Sequence, residues 1–310
     1  MDMEQISFKP AFVERYSKLT DWETFKEISL TYLRRSIRIN TLKIQISELK
    51  NRIEDVWELK PVPWCKEGFW IEHKGEEKRR DIGNLIEHSL GYIYVQEAAS
   101  MIPPLVLDPK PGENVLDMCA APGSKASQIG QYMDNRGVLI ANDYTGLRLA
   151  PLGINMQRCG ITNSIITQMY GQQFKGFKFD KILVDAPCSG TGTIRKSLKT
   201  LRIWNPVMVE RLAATQRKLI ESAFFNLRDG GTMVYSTCSL EPLEDEAVIN
   251  FLIDKHNNAK LEEIELNIKR SEPVSEFEGA AYSSEVRKCL RIWPQDNDTE
   301  GFFVAKIRKI

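Results

Sequence analysis

Residues 113–133, ENVLDMCAAPGSKASQIGQYM, pass from a short apolar run through small residues, a Pro and a Gly into a stretch of helical periodicity. That order encodes a buried strand, a tight turn and the start of a helix. At such a junction the free backbone N–H groups of the helix start are not shielded by bulky side chains, so a ligand of nucleotide type can approach them. The segment is neither a GxxxxGK[ST] loop nor GxGxxG. Taken alone, it reads equally well as a plain strand-to-helix turn.

The same texture repeats downstream. GVLIAND, SIITQM, DKILVDA and TMVYSTC are short runs rich in Val, Ile and Leu, while SKASQIGQYM, LRLAPLGINMQRC and VERLAATQRKLIESAFFNLRDGG carry helical periodicity. This alternation predicts parallel strands joined by right-handed crossovers, a doubly wound Rossmann-like α/β domain over residues 95–310. Upstream, VWELKPVP, GFWIEH and GYIYVQE read as strands and ISELKNRIED as helix, which predicts a small α+β domain over residues 1–94.

The 310 residues include 42 basic and 42 acidic side chains, a net charge of zero, which excludes a polycation that coats nucleic acid along its whole surface. Basic residues cluster locally: Arg34, Arg35 and Arg38; Lys78, Arg79 and Arg80; Arg195, Lys196, Lys199 and Arg202; Arg287, Lys288 and Arg291. Any one of these clusters alone reads as solvated surface. Six cysteines without a CxxC pair, together with three histidines, exclude a disulfide scaffold and argue against a bound metal, so a special cysteine role is sought in thiolate chemistry. No apolar run approaches the roughly 20 residues that span a bilayer, and MDMEQISFKP lacks a signal-peptide layout. A cytoplasmic monomer is expected.

In open α/β sheets, ligands bind beyond the carboxyl ends of the strands. Asp143 ends GVLIAND and suits the ribose hydroxyls of an adenosine-containing cofactor, or else caps the next helix. DAPCSGTG (185–192) sets a carboxylate, a Pro turn and a thiol at another strand end. There Asp185 could accept from the amino edge of a cytosine, or simply cap a turn beside a buried Cys188. YSTCSLEPLEDE (235–246) places Cys238 just past a strand, followed by Ser-Leu-Glu-Pro, which predicts a helix start whose positive end lowers the thiol pKa. A single cysteine is usually inert and buried, but two at the ends of neighbouring strands suggest a chemical purpose. Carbon 5 of cytosine is a poor nucleophile. A thiolate that adds to carbon 6 makes the ring an enamine able to attack a sulfonium methyl, after which a base removes the carbon 5 proton and the thiolate leaves.

In order along the chain, DMCAAPGSKASQ, ANDYTGLRL, FDKILVDAPCSGTGTIRK, LAATQRKLIESAF, DGGTMVYSTCSLEPLEDE and the terminal GFFVAKI resemble the successive motifs of the Sun/Fmu (Nol/Nop) RNA cytosine-5 methyltransferases. LRRSIRINTLK, PWCKEGFWIE and YVQEAASMIPP resemble the preceding segment in the branch that holds bacterial RsmF and the archaeal tRNA enzymes, so the likeness spans nearly the whole chain. It implies S-adenosyl-L-methionine as cofactor, held by Cys119, Ala120, Ala121, Pro122, Gly123, Ser124 and Lys125, with its ribose on Asp143 and with Arg148, Tyr170 and Asp185 as further cofactor contacts. It also implies Asp185 and Lys125 beside the target base, Cys238 as nucleophile and Cys188 as the cysteine that assists release. DNA cytosine methyltransferases use the cysteine of their Pro-Cys motif, so Cys188 is the alternative nucleophile.

Two departures accompany the resemblance. Tyr170-Gly171 stands where the family usually has an Asp-Gly step toward the adenine amine, and the C-terminal domain of the RsmF type is not expected here. The N-terminal domain is expected to resemble an RNA-recognition module. Arg34, Arg35, Arg195 and Lys196 are expected to touch RNA phosphates, whereas Trp64, Phe69 and Trp70 read as core. The resemblance implies tRNA as the preferred partner and ribosomal RNA as the alternative. An idle RNA-binding assembly factor and a DNA methyltransferase are the readings from other classes.

Overall fold

The computed structural model describes residues 8–75 and 81–310, so the predicted basic run Lys78–Arg80 lies outside the described residues. Strands β1 (Ser36–Ile39), β2 (Trp57–Val62), β3 (Cys65–His73) and β4 (Ile93–Val95) pair antiparallel in the order β2-β3-β1-β4. Helix Ile46–Ile53 separates β1 from β2, and a short helix, Ile86–Ser89, precedes β4, giving a βαββαβ succession. Strand alternation divides the sheet's two faces. Ile37, Ile39, Phe69, Ile71 and Ile93 form a core with Leu49 and Ile53 of the helix.

The opposite face carries Ser36, Arg38 and Tyr94, and it is covered. Arg38, fully buried, donates to Gln96 Oε1 at 2.9 Å, Ser124 O at 3.1 Å and Ser127 Oγ at 2.8 Å, while Gln131 Nε2 reaches Ile39 O at 3.2 Å. Helix Ser124–Tyr132 therefore lies on the face through which an RNA-recognition module stacks bases. That face is unavailable to RNA here. The basic side chain of Arg38 joins the domains instead of lying on the surface.

Strands β5 (Asn114–Asp117), β6 (Val138–Asp143), β7 (Ser164–Gln168), β8 (Phe179–Asp185) and β9 (Leu227–Thr237) are parallel neighbours, with the expected helices between them. Short strands follow: β10 (Ala259–Glu262), a hairpin of β11 (Glu276–Phe277) and β12 (Ala280–Ala281), β13 (Leu290–Ile292) and finally β14 (Phe302–Lys309). The main sheet runs β10-β14-β9-β8-β5-β6-β7, and β13 pairs with β14. The sheet is mixed, because GFFVAKI returns as β14 antiparallel to β9. Val115 and Leu183 pack on one face, Leu116, Ile182 and Val184 on the other. Each such buried side chain contributes roughly 1.5–3 kcal/mol.

Two differences from the sequence reading have local causes. LRDGG does not continue the helix: Pro206–Asn226 ends, Leu227 already pairs with Phe179, and the ladder resumes at Lys181↔Thr232 after an irregularity that includes Gly230 at φ 75°. The N-terminal helices Pro10–Tyr16 and Trp22–Leu30, which the pattern did not announce, bury Phe12, Tyr16 and Phe25 against Trp204, Leu240 and Trp293. They buttress the segments that follow both predicted cysteines.

Candidate active site

The winding reverses between β5 and β8, since β6 and β7 lie to one side and β9 and β14 to the other. Diverging loops leave a crevice at such a point. Here it is a cleft of about 380 Å³. Of the predicted cofactor residues, Cys119, Ala121, Asp143, Arg148, Tyr170 and Asp185 line it, while Ala120, Pro122, Gly123, Ser124 and Lys125 do not. Ala120, Pro122 and Gly123 build the turn, where Ala120 N donates to Asn142 O at 2.7 Å and Gly123, at φ 104°, precedes the helix that Ser124 and Lys125 open.

Asp143 is 1% exposed. Its Oδ1 accepts from Thr145 N at 3.0 Å, whereas Oδ2 faces Arg148 Nη1 at 3.1 Å and receives no aligned hydrogen bond. A buried acceptor left open at the cleft wall fits a ribose hydroxyl. Arg148 also donates to Ala121 O and so braces the turn against Asp143. At the far end Tyr170 stacks on Tyr144, with ring centroids 5.8 Å apart and planes at 23°. Tyr144 also lines the cleft, and nothing in its sequence context separated it from an ordinary surface aromatic.

Opposite the turn, Lys125 Nζ lies 2.7 Å from Asp185 Oδ2, and Ser236 Oγ donates to Asp185 Oδ1 at 2.8 Å. Ser236 was not foreseen, because its role depends on the β8–β9 register that sets it directly beside Asp185. Burial disfavours charge on Lys125, yet the charge and hydrogen bond of Asp185 outweigh that cost and hold its pKa above the ordinary value, with Cys238 adding to the effect. Beneath the pair, burial and the charge of Asp185 push the Asp117 carboxyl up to about 8. Burial, together with the charges of Asp117, Asp185 and Asp143, pushes the Cys119 thiol upward. Cys119 is therefore an inert wall at neutral pH.

Cys188 and Cys238 stand with their sulfurs 3.4 Å apart, and neither is sealed in the interior. They lie just past the cleft wall formed by Asp185, Ala186 and Pro187. Cys238 O accepts from Gly192 N at 2.9 Å, which joins the two cysteine loops through their backbones. The helix expected from Ser-Leu-Glu-Pro begins only at Glu246, with buried Glu244 and Asp245 before it. A helix dipole is thus not what acts on Cys238; the Lys125 ammonium is the nearby positive charge.

The predicted RNA contacts divide. The Arg195 side chain is 1% exposed, donates to Tyr32 O at 2.8 Å and Thr299 O at 3.2 Å, and pairs with Asp298 at 2.7 Å. Burial of the side chain and the internal partners of both terminal nitrogens keep Arg195 from a phosphate, contrary to the expectation from sequence. Arg34 pairs with the same Asp298 at 2.6 Å and lies over the Trp70 ring at 4.0 Å. Arg35 and Lys196 remain at the surface. Trp64 and Phe69 are buried. Among the described residues, no group of three or more His, Cys, Asp or Glu side chains is placed to hold a metal, and no helix is long and apolar enough to cross a membrane.

The profile of the 16S rRNA methyltransferase RsmB/F family matches residues 104–308. The chain belongs to the RsmB/F methyltransferase family. The profile of the N-terminal domain of 16S rRNA methyltransferase RsmF matches residues 8–98 of this family member. It is 51% identical over 302 residues to the tRNA (cytosine(49)-C(5))-methyltransferase of Pyrococcus abyssi, covering 96% of this chain and 95% of that one. It is 40% identical to the ribosomal RNA small subunit methyltransferase F of Erwinia tasmaniensis, covering 99% of this chain but 64% of that protein. A methyltransferase homolog from Pyrococcus horikoshii superposes with a TM-score of 0.87 at 36% identity, covering 99% of this chain and 97% of the other. The cofactor of this RsmB/F-family methyltransferase is S-adenosylmethionine, which the cleft with its open Asp143 acceptor fits.

Proposed function

We propose that this chain methylates carbon 5 of a cytosine in tRNA, with Cys238 as the nucleophile. One observation carries the reading: two thiols 3.4 Å apart stand beside the Lys125–Asp185 ion pair at the rim of the cofactor cleft. S-adenosylmethionine supplies an electrophilic methyl group when bound. Asp143 and Arg148 would hold its ribose end, and the turn from Cys119 to Lys125 would lie along it. The Asp185 carboxylate accepts from the exocyclic amine of cytosine, and the Lys125 ammonium offsets negative charge that develops near ring nitrogen 3. The Cys238 thiolate adds to carbon 6, which makes carbon 5 nucleophilic toward the methyl group. A solvent base at the cleft rim takes the carbon 5 proton, the freed electron pair re-forms the carbon 5–carbon 6 double bond as the Cys238–carbon 6 bond breaks, and the neighbouring Cys188 thiol can protonate the departing sulfur.

Support for tRNA comes from the Pyrococcus abyssi enzyme, to which this chain is 51% identical, against 40% for ribosomal methyltransferase F of Erwinia tasmaniensis. Arg35 and Lys196 are the exposed cations proposed to meet flanking phosphates. Labelled S-adenosylmethionine offered with separate tRNA, ribosomal RNA and DNA pools tests the reading. Label is expected in tRNA at 5-methylcytosine. Label in ribosomal RNA alone would replace the substrate, and no label in any pool would leave an RNA-binding factor.

A further inference from the structure

The acidic end of YSTCSLEPLEDE has no part in the chemistry above, yet Glu244 is fully buried. Its Oε1 accepts from Ser189 N at 2.9 Å and from Gln216 Nε2 at 3.1 Å. Its Oε2 accepts from Ser239 Oγ at 2.5 Å and from the Ser189 hydroxyl. All of these partners donate, which a carboxylate matches and which offsets part of the upward push that burial gives its pKa. Ser189 follows Cys188 and Ser239 follows Cys238. Gln216 Nε2 also holds Pro187 O at 2.9 Å, on the other side of Cys188. One carboxylate therefore grips both cysteine loops at the residues next to the sulfurs.

We infer that Glu244 is a positioning residue for the two-thiol reaction: its carboxylate ties the Pro-Cys-Ser loop to the Thr-Cys-Ser loop and fixes the spacing of Cys188 and Cys238. The inference rests on the thiol roles proposed above. Its charge adds a second effect. The hydrogen bond to Cys238, burial, and the charges of Cys238 and Glu244 all push the Cys188 thiol upward, so Cys188 keeps its proton and can donate it across the 3.4 Å gap. Glu244 would thus make the pair unequal as well as close.

The test separates distance from charge. Ser189→Ala with Ser239→Ala removes hydroxyl grips on both loops and leaves the buried carboxylate in place. Treating the protein with diamide, without RNA or cofactor, lets the two thiols pass two electrons and two protons to the azo bond, forming the Cys188–Cys238 disulfide and a hydrazine. In the double-serine variant this disulfide is expected to form at least about tenfold more slowly than in wild type, and kcat to fall at least about tenfold, with KM for RNA within about threefold. Glu244→Gln presents an amide donor to groups that need an acceptor; its kcat should fall at least as far, and alkylation of Cys188 should shift to lower pH. Wild-type disulfide formation and wild-type kcat in the double-serine variant would overturn the inference, and that variant alone decides should Glu244→Gln not fold. Failure of the functional reading is distinct, because the disulfide assay needs no methylation.

Discussion

Cys238 and Cys188 meet the same cleft rim in different company. Cys238 lies near a cation, Lys125, whereas Cys188 lies near an anion, Glu244. The hydrogen bond to Cys238, burial and the charge of Glu244 push the Cys188 thiol upward, so Cys188 keeps its proton. Cys238→Ala should therefore lower methylation by roughly three orders of magnitude or more, while S-adenosylhomocysteine affinity, measured by calorimetry, stays within about twofold, since Cys238 does not line the cleft. Cys188→Ala should accumulate a protein–RNA adduct that survives denaturing electrophoresis; an adduct from Cys238→Ala instead would reverse the two roles. Asp117 gives a prediction in pH. Its folded pKa of about 8 exceeds the ordinary carboxylate value, so between roughly pH 4 and 8 the folded state keeps a proton that the unfolded state has lost. Stability then falls as pH rises through that window. Asp117→Asn removes this cost, and its gain in Tm over wild type should be larger at pH 8.5 than at pH 5. An equal difference at the two pH values would count against the raised pKa.

Among the elements, the loop after Cys188 and the start of β14 are packed backbone to backbone. A Cβ on Gly192 would stand 2.2 Å from Gly301 O and 2.8 Å from Cys238 O. Because both obstacles are main-chain atoms, no rotamer relieves the contact. Gly192→Ala should cost about 1–3 kcal/mol and slow methylation more than it weakens cofactor binding, as seen by comparing kcat with the calorimetric Kd. A normal kcat in that variant would show that the Cys238 loop moves without penalty. The pattern of β5, β6, β8 and β9 was legible because these strands are largely buried and bounded by turn residues, whereas the edge strand β7 leaves Ile165 and Ile166 exposed and was marked by its β-branched run alone. The late start of the helix at Glu246 was not legible, since Glu244 and Asp245 are ordinary first-turn residues unless their buried partners Ser189 and Arg291 are known.

For the molecule as a whole, the sheet of β1 to β4 works as a bracket on the catalytic domain. Arg38→Ala would leave Gln96, Ser124 and Ser127 short of a donor and open a cavity at the junction. It should cost about 3 kcal/mol and lower Tm by roughly 5–10 °C; a Tm within about 1 °C of wild type in calorimetry would mean that the two parts do not stabilise one another through this residue. The sequence alone determined the doubly wound core, the turn after β5 and the residue types at the strand ends, because apolar runs and turn composition are local properties of the chain. Which charges lie at the surface was decided only by tertiary structure. Arg38 and Arg195 look like Arg35 and Lys196 along the chain, and only the packing of distant segments around the first two turns their donors inward. The same holds for Ser236 and Glu244, whose importance arises from the register of β8 beside β9 and from a carboxylate closing the space between two loops, and hydrophobic periodicity encodes neither relation.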